Sequence, residues 1–134
     1  MTSEQRSPVL SVDIIIRVGR GRILLIERAN PPHGYALPGG FVDYGESLET
    51  AAAREAKEET GLELSNLKQF RAYSDPSRDP RHHTVTLVFT ADGIGEPRAG
   101  DDAAAVLAVD PGTPGVTLVF DHGQILRDYW ESVR

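Results

Sequence analysis

With 134 residues, 40% of them hydrophobic and 25% charged, the chain has material for one soluble globular domain with a real core and too little for two. The absence of cysteine excludes disulfides, thiolate metal sites and a cysteine nucleophile, and the net charge of −6 argues against general affinity for nucleic acid backbones while leaving room for a local basic pocket. The opening "MTSEQRSPVL" lacks the apolar core of a signal peptide, and no apolar run approaches the roughly 20 residues that span a bilayer, so a cytoplasmic domain with no membrane partner is expected over residues 1–134.

Val9 to Val18 is rich in β-branched residues and reads as a strand. "GRG" at Gly19 to Gly21 marks a turn, and "RILLIER" from Arg22 reads as the returning strand. The prolines and glycine of "ANPPHGY" make a loop, and "ALPGGFVDYGES" prolongs it with further glycines. Ser47 then fits an N-cap, Glu49 the first turn, and the alanine-rich "LETAAAREAKEET" a helix that Gly61 stops. "LELSNLKQFRAYS" alternates as one or two strands, "DPSRDPR" is a charged loop, and "HHTVTLVFT" is a strand. "ADGIGEPRAGDDA" is another loop, "AVLAV" a short strand and "DPGTPG" a turn. The string "VTLVF" recurs at Val85 and Val116 without making a repeat architecture. A last helix is expected from Asp121, with Gln124 completing a capping box and Phe120 with Ile125 a hydrophobic staple. Ile125, Leu126, Tyr129 and Trp130 then share its apolar face. Many strands with one central and one terminal helix predict an α+β fold, or a sandwich, with helices against a mixed sheet.

The central helix carries its acid in the wrong place. At about 100° per residue, Leu48, Ala51, Ala52, Glu55 and Glu59 share one side with Glu58 at its edge. Glu49, Thr50, Ala53 and Lys57 lie opposite. The stripe that begins as leucine and alanine therefore ends in carboxylates, at the helix terminus where the dipole disfavours them. Glu55 repels Glu58 and Glu59 at the i, i+3 and i, i+4 spacings. A solvated face with Arg54 paired to Glu58 is the plain alternative. Inward carboxylates in such a cluster are best satisfied by a hard divalent cation with oxygen ligands, and Mg²⁺ favours a few carboxylates plus substrate phosphates. Gly39 and Gly40 allow close backbone approach, and a free carbonyl there can join such a ligand set.

Gly40, Glu46, Arg54-Glu55, Ala56, Glu58-Glu59, Gly61 and Leu62 together resemble the Nudix box, unbroken over residues 40–62. Ala56 is smaller than the Ile, Leu or Val usual there. "ALPGG" resembles the family too, with Tyr35 near a common tryptophan position. The resemblance implies an α/β/α sandwich, a mixed β-sheet flanked by the box helix and a C-terminal helix. It implies hydrolysis of a nucleoside diphosphate linked to another group, with Mg²⁺ or Mn²⁺, and a homodimer as the assembly. Carried over by position, Glu55, Glu58 and Glu59 hold metal with the Gly39 carbonyl, and Arg54 orients the glutamates through Glu46 or Glu55. Gly40, Glu46 and Gly61 are structural parts of the motif. The base varies within the family. Glu55 is the helix candidate here; Glu96, Asp101 and Asp102 are the loop candidates, with Asp101 preferred as ligand or base.

"YSDPSRDPRHHTVTLVF", "GDDA" and "FDHGQIL" resemble segments of the small bacterial and archaeal ADP-ribose pyrophosphatase-like branch. The expected substrate is of the nucleotide-sugar type, ADP-ribose giving AMP and ribose 5-phosphate. Arg78 and Arg81 are expected to clamp phosphate in bidentate fashion. Asp75 and Asp79 either bond ribose hydroxyls or pair with those arginines. Tyr35, Phe41 and Tyr73 are the residues for stacking on adenine. His82 and His83 alternate faces, so at most one points into a site. Rival expectations are hydrolysis of nucleoside triphosphates or dinucleoside polyphosphates, and an ADP-ribose sensor that binds without cutting. Against the sensor, the box is intact and no second module is expected in this chain.

Overall fold

The computed structural model describes residues 6–100 and 103–134. Among the described residues, seven strands and two helices follow in chain order: β1 (Val9–Val18), β2 (Arg22–Arg28), β3 (Tyr35–Ala36), β4 (Gly39–Phe41), α1 (Leu48–Thr60), β5 (Glu63–Tyr73), β6 (Thr84–Ile94), β7 (Ala103–Val109) and α2 (His122–Val133). The strands form one mixed sheet, ordered β3-β2-β1-β6-β5, with β4 paired to β1 and β7 to β2. The β1–β6 pair is parallel and the other pairings are antiparallel.

Alternation along the central strands builds a core on each face. Val12, Ile14, Ile16, Leu24, Phe89 and Ala91 pack against Ala51, Ala52 and Ala56 of α1. Their neighbours Ile15, Ile23, Leu25 and Val88 pack against Ile125, Leu126 and Tyr129 of α2. The result is a helix–sheet–helix sandwich, as expected. No helix among the described residues is long and apolar enough to cross a membrane.

The helix α1 starts and stops as its sequence dictates. Ser47 accepts from the Thr50 N–H at 3.0 Å, and Gly61 takes φ 74° while its N–H bonds the Lys57 carbonyl. Residues 98–100 fold back over this terminus. The Arg98 N–H donates to the Thr60 carbonyl at 2.8 Å and the Gly100 N–H to the Glu59 carbonyl at 3.2 Å, satisfying orphan carbonyls.

The one or two strands expected over residues 62–74 are a single strand, β5, whose register shifts accommodate Asn66 at φ 53°. The second "VTLVF" forms no strand of its own; it runs along the α2 side with an isolated bridge from Leu118 to Tyr35. The capping box and staple at α2 do not form. Asp121 makes no cap bond, Gln124 instead donates to Asp128 at 2.7 Å, and Phe120 turns outward to arginines.

Candidate active site

The α2-side face of the sheet ends in polar residues that line one cavity of about 360 Å³. Ser11 and Asp13 continue the Ile15 side of β1, and Thr84 and Thr86 continue the Val88 side of β6. The parallel register sets Ser11 beside Thr86, with their hydroxyls 2.6 Å apart. These four residues line the cavity. Gly39, Gly40 and Phe41 of β4 line it too, with Glu55, Glu58 and Glu59 of α1.

The short strand β4 aims its free main-chain edge at α1. Pro38 O and Val42 N bond Ile14 and Leu10 of β1, so Gly39 and Phe41, at alternate positions, face away from β1. The Gly39 N–H donates to Glu59 at 2.8 Å and the Phe41 carbonyl accepts from Arg54 at 3.0 Å. Neither glycine leaves room for a side chain. A Cβ on Gly39 would overlap Asp13 and the Val12 carbonyl, and one on Gly40 would overlap the Glu55 carboxylate. Glycine here is required by close packing rather than by backbone sign.

Arg54 organises the acid. Its Nε and Nη2 bond Glu46 at 2.6 and 2.9 Å, and its Nη1 reaches Glu58 at 3.2 Å and Glu55 at 3.3 Å. The Arg54 fork and the Asp43 N–H lower Glu46 to about 2. Burial, then the charge of Glu59, pushes Glu55 up to about 8. Glu55 and Glu59 are both buried, 9% and 8% exposed, so two carboxylates share a site that water hardly reaches. That donor set fits a hard divalent cation, which would relieve both the repulsion and the raised proton affinity. Among the described residues no three such groups already converge as a closed ligand set; Glu58 leans to Arg54 and Glu59 to the Gly39 N–H.

The other expected residues divide. Phe41 and Arg81 line the cavity. Arg81 is bound by Asp79 at 3.0 and 2.9 Å, and its Nη1 has no hydrogen-bond partner among the described residues. Burial alone would raise Asp79, but the Arg81 fork, the Arg81 N–H and the Thr84 hydroxyl hold it well below the usual carboxylate range. Arg78 also lines the cavity, yet its fork cannot clamp phosphate. It grips Asp121 with two 2.8 Å bonds and gives two more to Thr86 and the Thr84 carbonyl.

Tyr73 and Tyr35 do not line the cavity. Tyr73 lies on the far edge strand, packs on the α2-side core and donates to Asp128 at 2.7 Å; burial and Asp128 raise its pKa. Tyr35 packs against that same core from β3. Asp75 bonds Ser77, His82 touches the Phe41 ring and Thr84, and His83 meets the Ser74 carbonyl; none of these lines the cavity. Glu96 is exposed and outside it. Asp101 and Asp102 lie outside the described residues.

Sequence reasoning gave Phe120 and Asp121 helix-start roles and missed what the turn Phe120-Asp121-His122 does at the cavity. Phe120 stacks on Arg28 and Arg81 at 5.2 and 5.0 Å. Asp121 grips Arg78. His122, 5% exposed, accepts from the Leu37 N–H through Nδ1 at 3.0 Å, so its Nε2 carries the proton toward Asp13 at 3.2 Å. The signal in reach was period-two polarity in "LSVD" and "HTVT", which marks one polar end of a sheet face.

Comparison with known proteins shows the family and the fold. The chain is 46% identical over 130 residues to the ADP-ribose pyrophosphatase of Methanocaldococcus jannaschii, covering 93% of this chain and 76% of that protein. The NUDIX domain of Shewanella oneidensis NrtR, solved in complex with ADP ribose, superposes with a TM-score of 0.86 at 26% identity, over 97% of this chain and 91% of that one. A bifunctional NMN adenylyltransferase/ADP ribose pyrophosphatase from Francisella tularensis, solved with AMP and a manganese ion, gives 0.80 at 25% identity, over 97% of this chain and 43% of that one. A family model described as NUDIX domain matches residues 7–119, through all the strands and α1. The chain belongs to the NUDIX domain family.

Proposed function

We propose that the protein is a Mg²⁺-dependent pyrophosphohydrolase that cleaves ADP-ribose to AMP and ribose 5-phosphate. The observation that carries the reaction is one cavity lined by Glu55, Glu58, Glu59 and the Gly39 edge together with Phe41 and Arg81. The choice of substrate is supported by the likeness to the Methanocaldococcus jannaschii enzyme over most of the chain.

Glu55, Glu58, Glu59 and the Gly39 carbonyl would hold the cation. When bound, a divalent cation supplies neutralisation of the diphosphate and activation of water. Arg54, anchored on Glu46, fixes the directions of Glu55 and Glu58. Asp79 keeps the Arg81 guanidinium still, and its Nη1, without a hydrogen-bond partner among the described residues, can donate to the substrate. Asp101 takes the proton of the attacking water, with Glu55 the helix alternative. Asp101 follows Gly100, whose N–H is bonded to the end of α1.

A substrate panel with Mg²⁺ tests the reading: ADP-ribose, other nucleotide sugars, dinucleotides and nucleoside triphosphates, with products identified by mass. ADP-ribose should have the highest kcat/KM and give AMP. A triphosphate better by about tenfold, 1.4 kcal/mol in transition-state binding, would overturn the substrate assignment. Binding of ADP-ribose without turnover would establish the sensor instead. Run on Asp101→Asn and Glu55→Gln, the panel also assigns the base. Loss of kcat at normal KM in Asp101→Asn alone identifies Asp101; a wild-type rate there returns the role to Glu55.

A further inference from the structure

Phe120 holds a backbone conformation that favours glycine. Its φ is 55°, in a turn closed by the His122 N–H on the Val119 carbonyl at 3.2 Å. A bulky side chain at positive φ is strained, and such strain persists only where the surroundings enforce it. The ring packs in neither main core cluster among the described residues. It lies instead at the cavity, with the Arg81 guanidinium carbon 5.0 Å from its centroid and Arg28 at 5.2 Å. The same Arg81 carbon is 5.5 Å from the Phe41 ring.

Two rings and a guanidinium thus share one wall, and the wall is held in place. Asp79, 6% exposed, fixes the Arg81 plane with two hydrogen bonds. Phe41 is 40% exposed and the Arg81 side chain 39%, so their surfaces are open. Flat π-faces and a guanidinium plane attract a planar heterocycle, and Nη1, unpartnered among the described residues, can donate to a ring acceptor. A sugar or a phosphate offers no such plane.

We propose that Phe41, Arg81 and Phe120 form a stacking platform for the purine base of a nucleoside diphosphate, with Phe120 the residue that makes the site prefer base-bearing ligands. This rests on the reading of the cavity as the site for a nucleotide-sugar substrate. It replaces Tyr35 and Tyr73 as the stacking residues and moves Arg81 from phosphate clamp to platform.

Equilibrium binding tests it without turnover, using adenosine, AMP and ribose 5-phosphate on the full chain. Wild type should bind adenosine and AMP. Phe120→Leu, Phe120→Gly and Phe41→Leu should weaken both by about tenfold and leave ribose 5-phosphate unchanged. Phe120→Gly should keep or raise Tm, since glycine relieves the positive φ while the stacking is lost. The platform is overturned if wild type binds no adenosine, if the variants stay within about twofold of it, or if ribose 5-phosphate weakens equally. Adenosine binding that depends on these rings, in a protein that leaves ADP-ribose intact, would uphold the platform and overturn the hydrolase reading.

Discussion

Glu55 concentrates the electrostatics of the site in one side chain. Its ordinary value of 4.5 rises to about 8 in the folded, cation-free protein, through burial and then Glu59. Between those values the folded chain keeps a proton that the unfolded chain releases. Stability from this group is full below about pH 4.5 and is lost as pH rises through about 8. Thermal melts in EDTA should therefore show wild-type Tm falling over this interval relative to Glu55→Gln; parallel curves would refute the burial argument. The glycine facing Glu55 tests position rather than charge. Gly40→Ala puts a methyl group where the carboxylate sits. A displacement on this scale should cost about 100-fold in kcat with the fold retained by circular dichroism. Unchanged kcat would mean that the site tolerates a moved Glu55.

At the scale of elements, α2 begins against the usual rules. Its flanking Asp121 has the right side chain for a cap and makes no cap bond. The carboxylate instead neutralises Arg78, whose side chain is only 6% exposed. Serine is as good a cap as aspartate in an ordinary helix. Here Asp121→Ser should cost roughly 3 kcal/mol by leaving a buried guanidinium unpaired, a fall in Tm of about 10 °C. A Tm within about 2 °C of wild type would restore Asp121 to a capping role. The elements of the opposite face were the more legible. Ser47, the alanine stripe and Gly61 specify α1 through local chemistry alone, and the inward position of its glutamates follows from its 3.6-residue period.

Across the whole molecule, the parts hidden from sequence reasoning are those made by distant pairing. Ser11 meets Thr86 across 75 positions through the parallel β1–β6 register. Leu37 meets His122 across 85. Period-two polarity marks the polar ends of β1 and β6 singly, but no local period announces that they meet, nor the Asp13–His122 pair. Arg78 misled for a related reason: a loop of alternating Arg and Asp does not say which acid each arginine will take, and the partner came from α2. The glutamates, the glycines and Arg54 were legible because one helix and the strand before it carry them. They also carry the central claim, that the crowded acid of α1 serves a divalent cation in hydrolysis. Its most direct test is turnover of ADP-ribose with Mg²⁺, with EDTA, and in Glu58→Gln and Glu59→Gln. We predict product formation by wild type with Mg²⁺, none in EDTA, and a loss of about 100-fold or more in kcat for each variant, with Tm in EDTA equal to or above wild type as repulsion is removed. Wild-type rates in EDTA, or in the variants, would contradict it.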